Sequence, residues 1–259
     1  MFRLRADAIA IAVSWSLLLG AGDTASSDEL YVLSPAAMRT SMLALIPEFE
    51  RLSGQRIKLD FGPAGALAGR IQKGEALDVG IVTGGQIDEL QEHGKIVAGT
   101  KVNLARVGMG LFARKGAAKP DIRSVEGFRR ALLAAKFIGH NDPASGAPSG
   151  IFAARLLSSL DIAAAIKMKI KVFPAGTAAI YRAVEMGDMD FGLGQITEIM
   201  ARPGVELVGL LPDEIQNYTL FAGGIATMSM QRDASKSFIS YLGTSAAASV
   251  MKANGLEPL

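Results

Sequence analysis

One phrase occurs twice in this chain, and the repeat constrains the fold more than any single motif does. Phe61-Gly62-Pro63-Ala64-Gly65 opens an amphipathic stretch that closes near Gly74 and leads to Asp78-Val79-Gly80-Ile81. Phe173-Pro174-Ala175-Gly176-Thr177 runs in the same way through Gly187 to Asp190-Phe191-Gly192-Leu193. Each copy reads as a strand ending in Phe, a Pro-Ala-Gly turn, a helix, and an Asp that opens a second apolar strand. The fold class expected is α/β in two similar lobes. Strand, helix, strand units pack as parallel strands whose loops gather at one sheet edge, and ligands of such sheets sit at that edge.

A third stretch adds to this pattern. Asn141-Asp142-Pro143-Ala144-Ser145-Gly146-Ala147-Pro148-Ser149-Gly150 is loop chemistry, and the apolar-periodic Ile151-Phe152-Ala153-Ala154-Arg155-Leu156-Leu157 follows at once. Ser149 is placed as the helix N-cap, with Pro148 barring an earlier start and Lys136-Phe137-Ile138-Gly139 as the strand before the loop. Helix N-termini carry free N–H groups and the positive end of the dipole, so three of them at one cleft suit an anion. The expected donors are the backbone N–H groups of residues 64–66, 149–151 and 177–178.

Two long apolar runs, Val102 to Ala113 and Tyr218 to Ala226, read as strands that cross between the lobes. The first lobe is expected over residues 28–104 plus 218–259, and the second over 105–217. Arg106 is a charge inside an apolar run, either half of a structural ion pair or an anion contact in the cleft. Gly108-Met109-Gly110 lies within a strand rather than after one, so it is not a dinucleotide loop.

Composition closes off other classes. The hydrophobic share of 49% with 20% charged residues fits a globular chain of 259 residues. A net charge of +2 with scattered basic residues gives nucleic acid no patch to grip. Residues 1–25 read as a signal peptide, with basic Arg3 and Arg5 before a short apolar run, which predicts a periplasmic protein. No later segment is expected to span a membrane, and a monomer is expected.

There is no Cys, so thiol chemistry and disulfides do not arise. No zinc-peptidase, serine-hydrolase or phosphate-loop motif appears, and no metal or cofactor is expected. Of the two histidines, His93 reads as a solvated helix end, while His140 borders the third loop. The carboxylates Asp188 and Asp190 likewise read as solvated.

The whole order resembles the type II periplasmic substrate-binding proteins, and more closely their molybdate-binding branch. The likeness rests on Tyr31-Val32-Leu33-Ser34, Phe61 to Ile71, Ala76 to Ile81, Asp142-Pro143 with Pro148 to Ala153, Gly192 with its strand, and Ser245 to Gly255. It implies a protein that closes two lobes, hinged at two crossover strands, on a small anion and hands it to an ABC permease. Molybdate binders use a serine hydroxyl in each of the first two loops, but Ala37 and Ala64 stand there, and Gln195 stands for a second-lobe tyrosine. The remaining donors suit carboxylates at least as well. Expected ligand contacts are Ala37, Met38, Pro63, Ala64, Gly65, Thr83, Arg106, Ser145, Ser149, Gly150, Thr177 and Gln195. The alternative is an isomerase of a small tricarboxylate on the same scaffold, similar to aconitate isomerase, with His140 or Glu198 as the base.

Overall fold

The computed structural model describes residues 29–174 and 176–259. The expected signal peptide at 1–25, and Ala175 in the second Pro-Ala-Gly turn, lie outside the described residues. The elements run β1 (Leu30–Pro35), α1 (Arg39–Ser53), β2 (Ile57–Gly62), α2 (Ala64–Gln72), β3 (Val79–Thr83), α3 (Gly84–Glu92) and β4 (Val102–Arg114). They continue with α4 (Val125–Ala134), β5 (Ile138–Asn141), α5 (Pro148–Ser159), α6 (Ala163–Ile166), β6 (Ile170–Phe173), α7 (Thr177–Met186), β7 (Phe191–Gln195), α8 (Ile196–Met200) and β8 (Val205–Leu210). The chain closes with β9 (Tyr218–Ile225), α9 (Arg232–Leu242), α10 (Ser245–Ala253) and β10 (Glu257–Pro258).

The repeated phrase has a topological counterpart. On one side the strands lie in the order β2-β1-β3-β9, and on the other β6-β5-β7-β4. In each set the first three strands are parallel and the fourth is antiparallel. The two repeated aspartates do equivalent work. Asp78 accepts from the Tyr31 N–H at 2.9 Å and the Ser229 hydroxyl at 2.6 Å, while Asp190 accepts from the N–H groups of Lys136 at 2.8 Å and Phe137 at 3.0 Å. Each ties down the chain entering the middle strand of its set, so Asp190, exposed as expected, is also a structural acceptor.

The ladder does not break between the lobes, because β4 belongs to both sides. Its first half pairs with β9, and Met109 onward pairs with β7 and β8. The division lies in the packing instead. Leu104, Ala105 and Val107 join a core with Leu33, Ile81 and Phe238, whereas Met109 and Leu111 join another with Phe128, Leu157 and Leu193. The change of core falls between Val107 and Met109, a few residues past the expected division at Leu104. Each fully buried Leu, Ile or Phe contributes about 1.5–3 kcal/mol, and in a chain without disulfides these cores carry the stability.

Local boundaries shift for identifiable reasons. Pro148 begins α5 rather than barring it, since the first helical position needs no N–H and favours the fixed proline φ. Ser149 is therefore inside the helix, and Ala147 is the N-cap. At α3, Thr83 is a true cap: its hydroxyl accepts from Gln86 N at 3.4 Å, and the Gln86 side chain accepts from Thr83 N at 3.1 Å.

Candidate functional site

A cleft of about 690 Å³ opens where the parallel strands of both sets end. The turn after β1, the Pro63-Ala64 start of α2, Ser145 and the Pro148-Ser149 start of α5, the Gly176-Thr177 start of α7, and Gln195 at the end of β7 all line it. Of the expected contacts, Ala37, Pro63, Ala64, Ser145, Ser149, Thr177 and Gln195 meet here, as does Glu198.

The others are placed elsewhere. Arg106 sits between buried Ala105 and Val107, so strand alternation turns it outward. There its guanidinium pairs with Glu257 at 2.7 Å and lies 4.3 Å from the centre of the Tyr218 ring, which answers the open question about this residue in favour of an ion pair. Met38 is wholly buried in the first core, Thr83 caps α3, and a β-carbon on Gly150 would meet the Asn141 carbonyl oxygen at 2.7 Å. Gly65 forms a bridge: its N–H donates to the Gly146 carbonyl at 3.0 Å, joining the start of α2 to the loop before α5 across the cleft edge. A β-carbon on Gly65 would stand 2.7 Å from that oxygen, and Gly146 itself has φ of 71°, so both positions favour glycine.

The expected backbone anion trap is spent in part, at Gly65, Gly150 and Ile151. The N–H groups of Gly150 and Ile151 both bond the Ala147 carbonyl, Pro148 has none to offer, and Gly65 is used on Gly146. His140, the other candidate base, is buried with its Nδ1 2.7 Å from the Asn141 carbonyl oxygen and does not line the cleft. Burial holds its pKa down, so the ring is neutral.

Side chains outside the expected set supply the chemistry. Arg39 at the head of α1 and Arg202 after α8 line the cleft, each guanidinium over an aromatic ring, Phe61 at 4.0 Å and Tyr181 at 5.5 Å. The carboxyl of Glu198 is pushed up to about 7, first by burial. A hydrogen bond from Thr177 and the charges of Arg202 and Arg39 pull it back only partly. Tyr181 is buried and raised well above the usual phenol range, by burial first and then by the Glu198 charge, so it stays a neutral donor.

Asn141 Oδ1, Tyr181 Oη, Gln195 Nε2 and Thr197 Oγ1 are buried without a hydrogen-bond partner in the protein. All four residues line the cleft. Buried polar atoms without partners are rare in folded proteins, and four on one cleft wall mark where a ligand's polar atoms belong. One of the residues missed in the sequence had a helical signal: Tyr181 follows Thr177 by four within α7, so the two share a face. Among the described residues, no cluster of acidic or histidine side chains is arranged to hold a metal.

The sequence over residues 30–257 matches the family described as bacterial extracellular solute-binding protein. The chain belongs to that family. The chain is 27% identical over 236 residues to an aconitate isomerase from Pseudomonas sp., covering 89% of this chain and 88% of the relative. It is 26% identical over 247 residues to a molybdate-binding protein of Azotobacter vinelandii, covering 92% and 94%. Among solved structures, the periplasmic molybdate-binding protein of the same bacterium superposes with a TM-score of 0.72 at 17% identity, over 88% of this chain and 98% of that one. The fold is that of the type II periplasmic binding proteins, with the cleft between two lobes joined through crossover strands.

Proposed function

We propose that this family member is an exported solute-binding protein that encloses a small organic anion bearing carboxylates and delivers it to an ABC-type importer. The observation that carries this reading is the pairing of two cleft arginines, Arg39 and Arg202, with the unpartnered donors of Tyr181 and Gln195. Guanidinium forks match carboxylates in two-pronged fashion, and Arg stacked on an aromatic ring is held in place to do so. A dehydrated tetrahedral oxyanion asks for a ring of hydroxyl and N–H donors. Ala37 and Ala64 present methyl groups to the cleft instead, and in α5 the N–H groups of Gly150 and Ile151 are occupied. A periplasmic location belongs to this reading and rests on the leader-like first residues and on the relatives.

A thermal-shift panel of di- and tricarboxylates, molybdate, sulfate and neutral sugars tests it. A ligand present at a hundred times its Kd raises stability by about 2.7 kcal/mol, so a carboxylate should raise Tm by several degrees while sugars leave it unchanged. Molybdate as the strongest stabiliser would overturn the reading.

Glu198 supports a second reading. A cleft carboxyl that titrates near neutrality is placed to take a proton from one carbon and return it to another, as an isomerase similar to the aconitate isomerase relative would require. Proton NMR of purified protein with trans-aconitate separates the two: formation of the cis isomer, lost in Glu198→Gln, would establish catalysis.

A further inference from the structure

We propose that the ligand carries a hydroxyl beside its carboxylates, and that Asn141 selects it by accepting a hydrogen bond from that hydroxyl. The inference rests on the carboxylate-binding reading above and narrows its ligand class. Asn141 ends β5 in the cleft wall and is 2% exposed. Its amide is held in one sense, since Nδ2 donates to Ser149 Oγ at 3.2 Å and to Thr177 Oγ1 at 2.9 Å. Thr177 can accept while its own hydroxyl faces the Glu198 carboxyl, whose pKa it lowers. The amide nitrogen is thus committed to the protein, and Oδ1 is left as a buried acceptor with no partner there.

The orphans beside it have the opposite character, for Tyr181 offers an O–H and Gln195 an N–H. A ligand that satisfies this wall brings acceptor oxygens to most of it and one donor to Asn141. Molybdate and sulfate, fully deprotonated near neutrality, have no hydrogen to give, and neither has a plain dicarboxylate dianion. A hydroxycarboxylate carries both kinds of atom on adjacent carbons. Sites built to bond a ligand hydroxyl reject the analogue lacking it more strongly than shape alone would, because their own polar group is then buried unpaired.

Isothermal titration calorimetry at about pH 8.5, where the Glu198 carboxyl is ionised, compares malate with succinate and citrate with tricarballylate, pairs that differ only by the hydroxyl. The hydroxylated member of at least one pair should bind about tenfold or more tightly. Asn141→Leu, with the same branched side-chain skeleton, should bring that ratio near one, whereas Asn141→Asp keeps an acceptor and should retain a preference while its charge weakens both members. Equal affinities within both pairs would overturn the inference and leave the carboxylate reading standing. Absence of binding by all four would overturn both. If Asn141→Leu fails to fold, the ratio in the unmodified protein decides alone.

Discussion

At the scale of single residues, burial and neighbours sort the charged side chains into those that meet a ligand and those that hold the frame. Arg202→Ala removes a cleft guanidinium, and a charge-assisted hydrogen bond contributes about 1.5–3 kcal/mol, so affinity should fall by about tenfold or more with little change in Tm, read by calorimetry. Arg106→Ala should do the reverse. Its pair with Glu257 is half exposed, and such pairs contribute about 0–1 kcal/mol, so Tm drops slightly while the Kd of the same preparation stays put. Glu198 couples the site to pH. Its carboxyl holds its proton up to about 7 against an ordinary 4.5, so the folded state binds that proton more tightly than the unfolded chain does. Its contribution to stability is complete below about pH 4.5 and is lost as pH rises to about 7. Denaturation midpoints across that window should fall in the parent protein and flatten in Glu198→Gln. An anion bound nearby strengthens the same proton, so binding near neutrality should take protons up, seen as a buffer dependence of the calorimetric heat that the variant lacks.

At the scale of elements, two glycines make close approaches, Gly65 across the cleft edge and Gly192 inside a core. The Gly65 N–H bond to Gly146 clasps the start of α2 to the loop before α5. Gly65→Ala puts a methyl into that clasp, so the cleft edge should stay apart. Affinity then falls about tenfold or more, on the scale at which overpacking costs about 1–3 kcal/mol, with small-angle scattering of the ligand-bound protein showing a larger radius of gyration than the parent. Gly192 in β7 faces the wholly buried Phe112 ring, where a β-carbon would collide with it. Gly192→Ala should therefore lower stability by about 1–3 kcal/mol, measured by chemical denaturation, while any ligand that still binds the folded fraction keeps its Kd. The two variants separate closure from core packing.

At the scale of the whole molecule, two strand sets of one pattern share β4 and keep separate cores. The change of core falls at Gly108, which has no side chain to pack into either core and pairs with Tyr218 at the start of β9, so bending is expected between Val107 and Met109. Lobe closure by hinge motion at such crossings is the standard route by which two-lobed binders enclose a ligand. Saturating carboxylate should accordingly shrink the radius of gyration and slow amide exchange on both walls of the cleft, Thr177 to Tyr181 and Ala37 to Thr40 together. Protection confined to one wall would mean that the ligand binds without closure.

The sequence alone determined the strand and helix periods, the duplicated strand order and the two crossings, because these follow from local hydrophobic pattern and turn chemistry that any reader of residues 61–81 and 173–193 can see. It also placed Ala64, Ser149, Thr177 and Gln195 at one cleft, since loops at the ends of parallel strands must converge. Only the tertiary structure decided which donors are free. Whether the N–H groups of Gly150 and Ile151 are spent on Ala147, whether Arg106 turns out to Glu257, and whether Tyr181 and Asn141 keep unpartnered atoms all depend on where a second element lies. The same holds for Glu198, whose proton affinity comes from the protein packed around it rather than from its neighbours in sequence. Hydrogen-bond satisfaction and desolvation are properties of surroundings assembled from distant parts of the chain, and no local pattern encodes them.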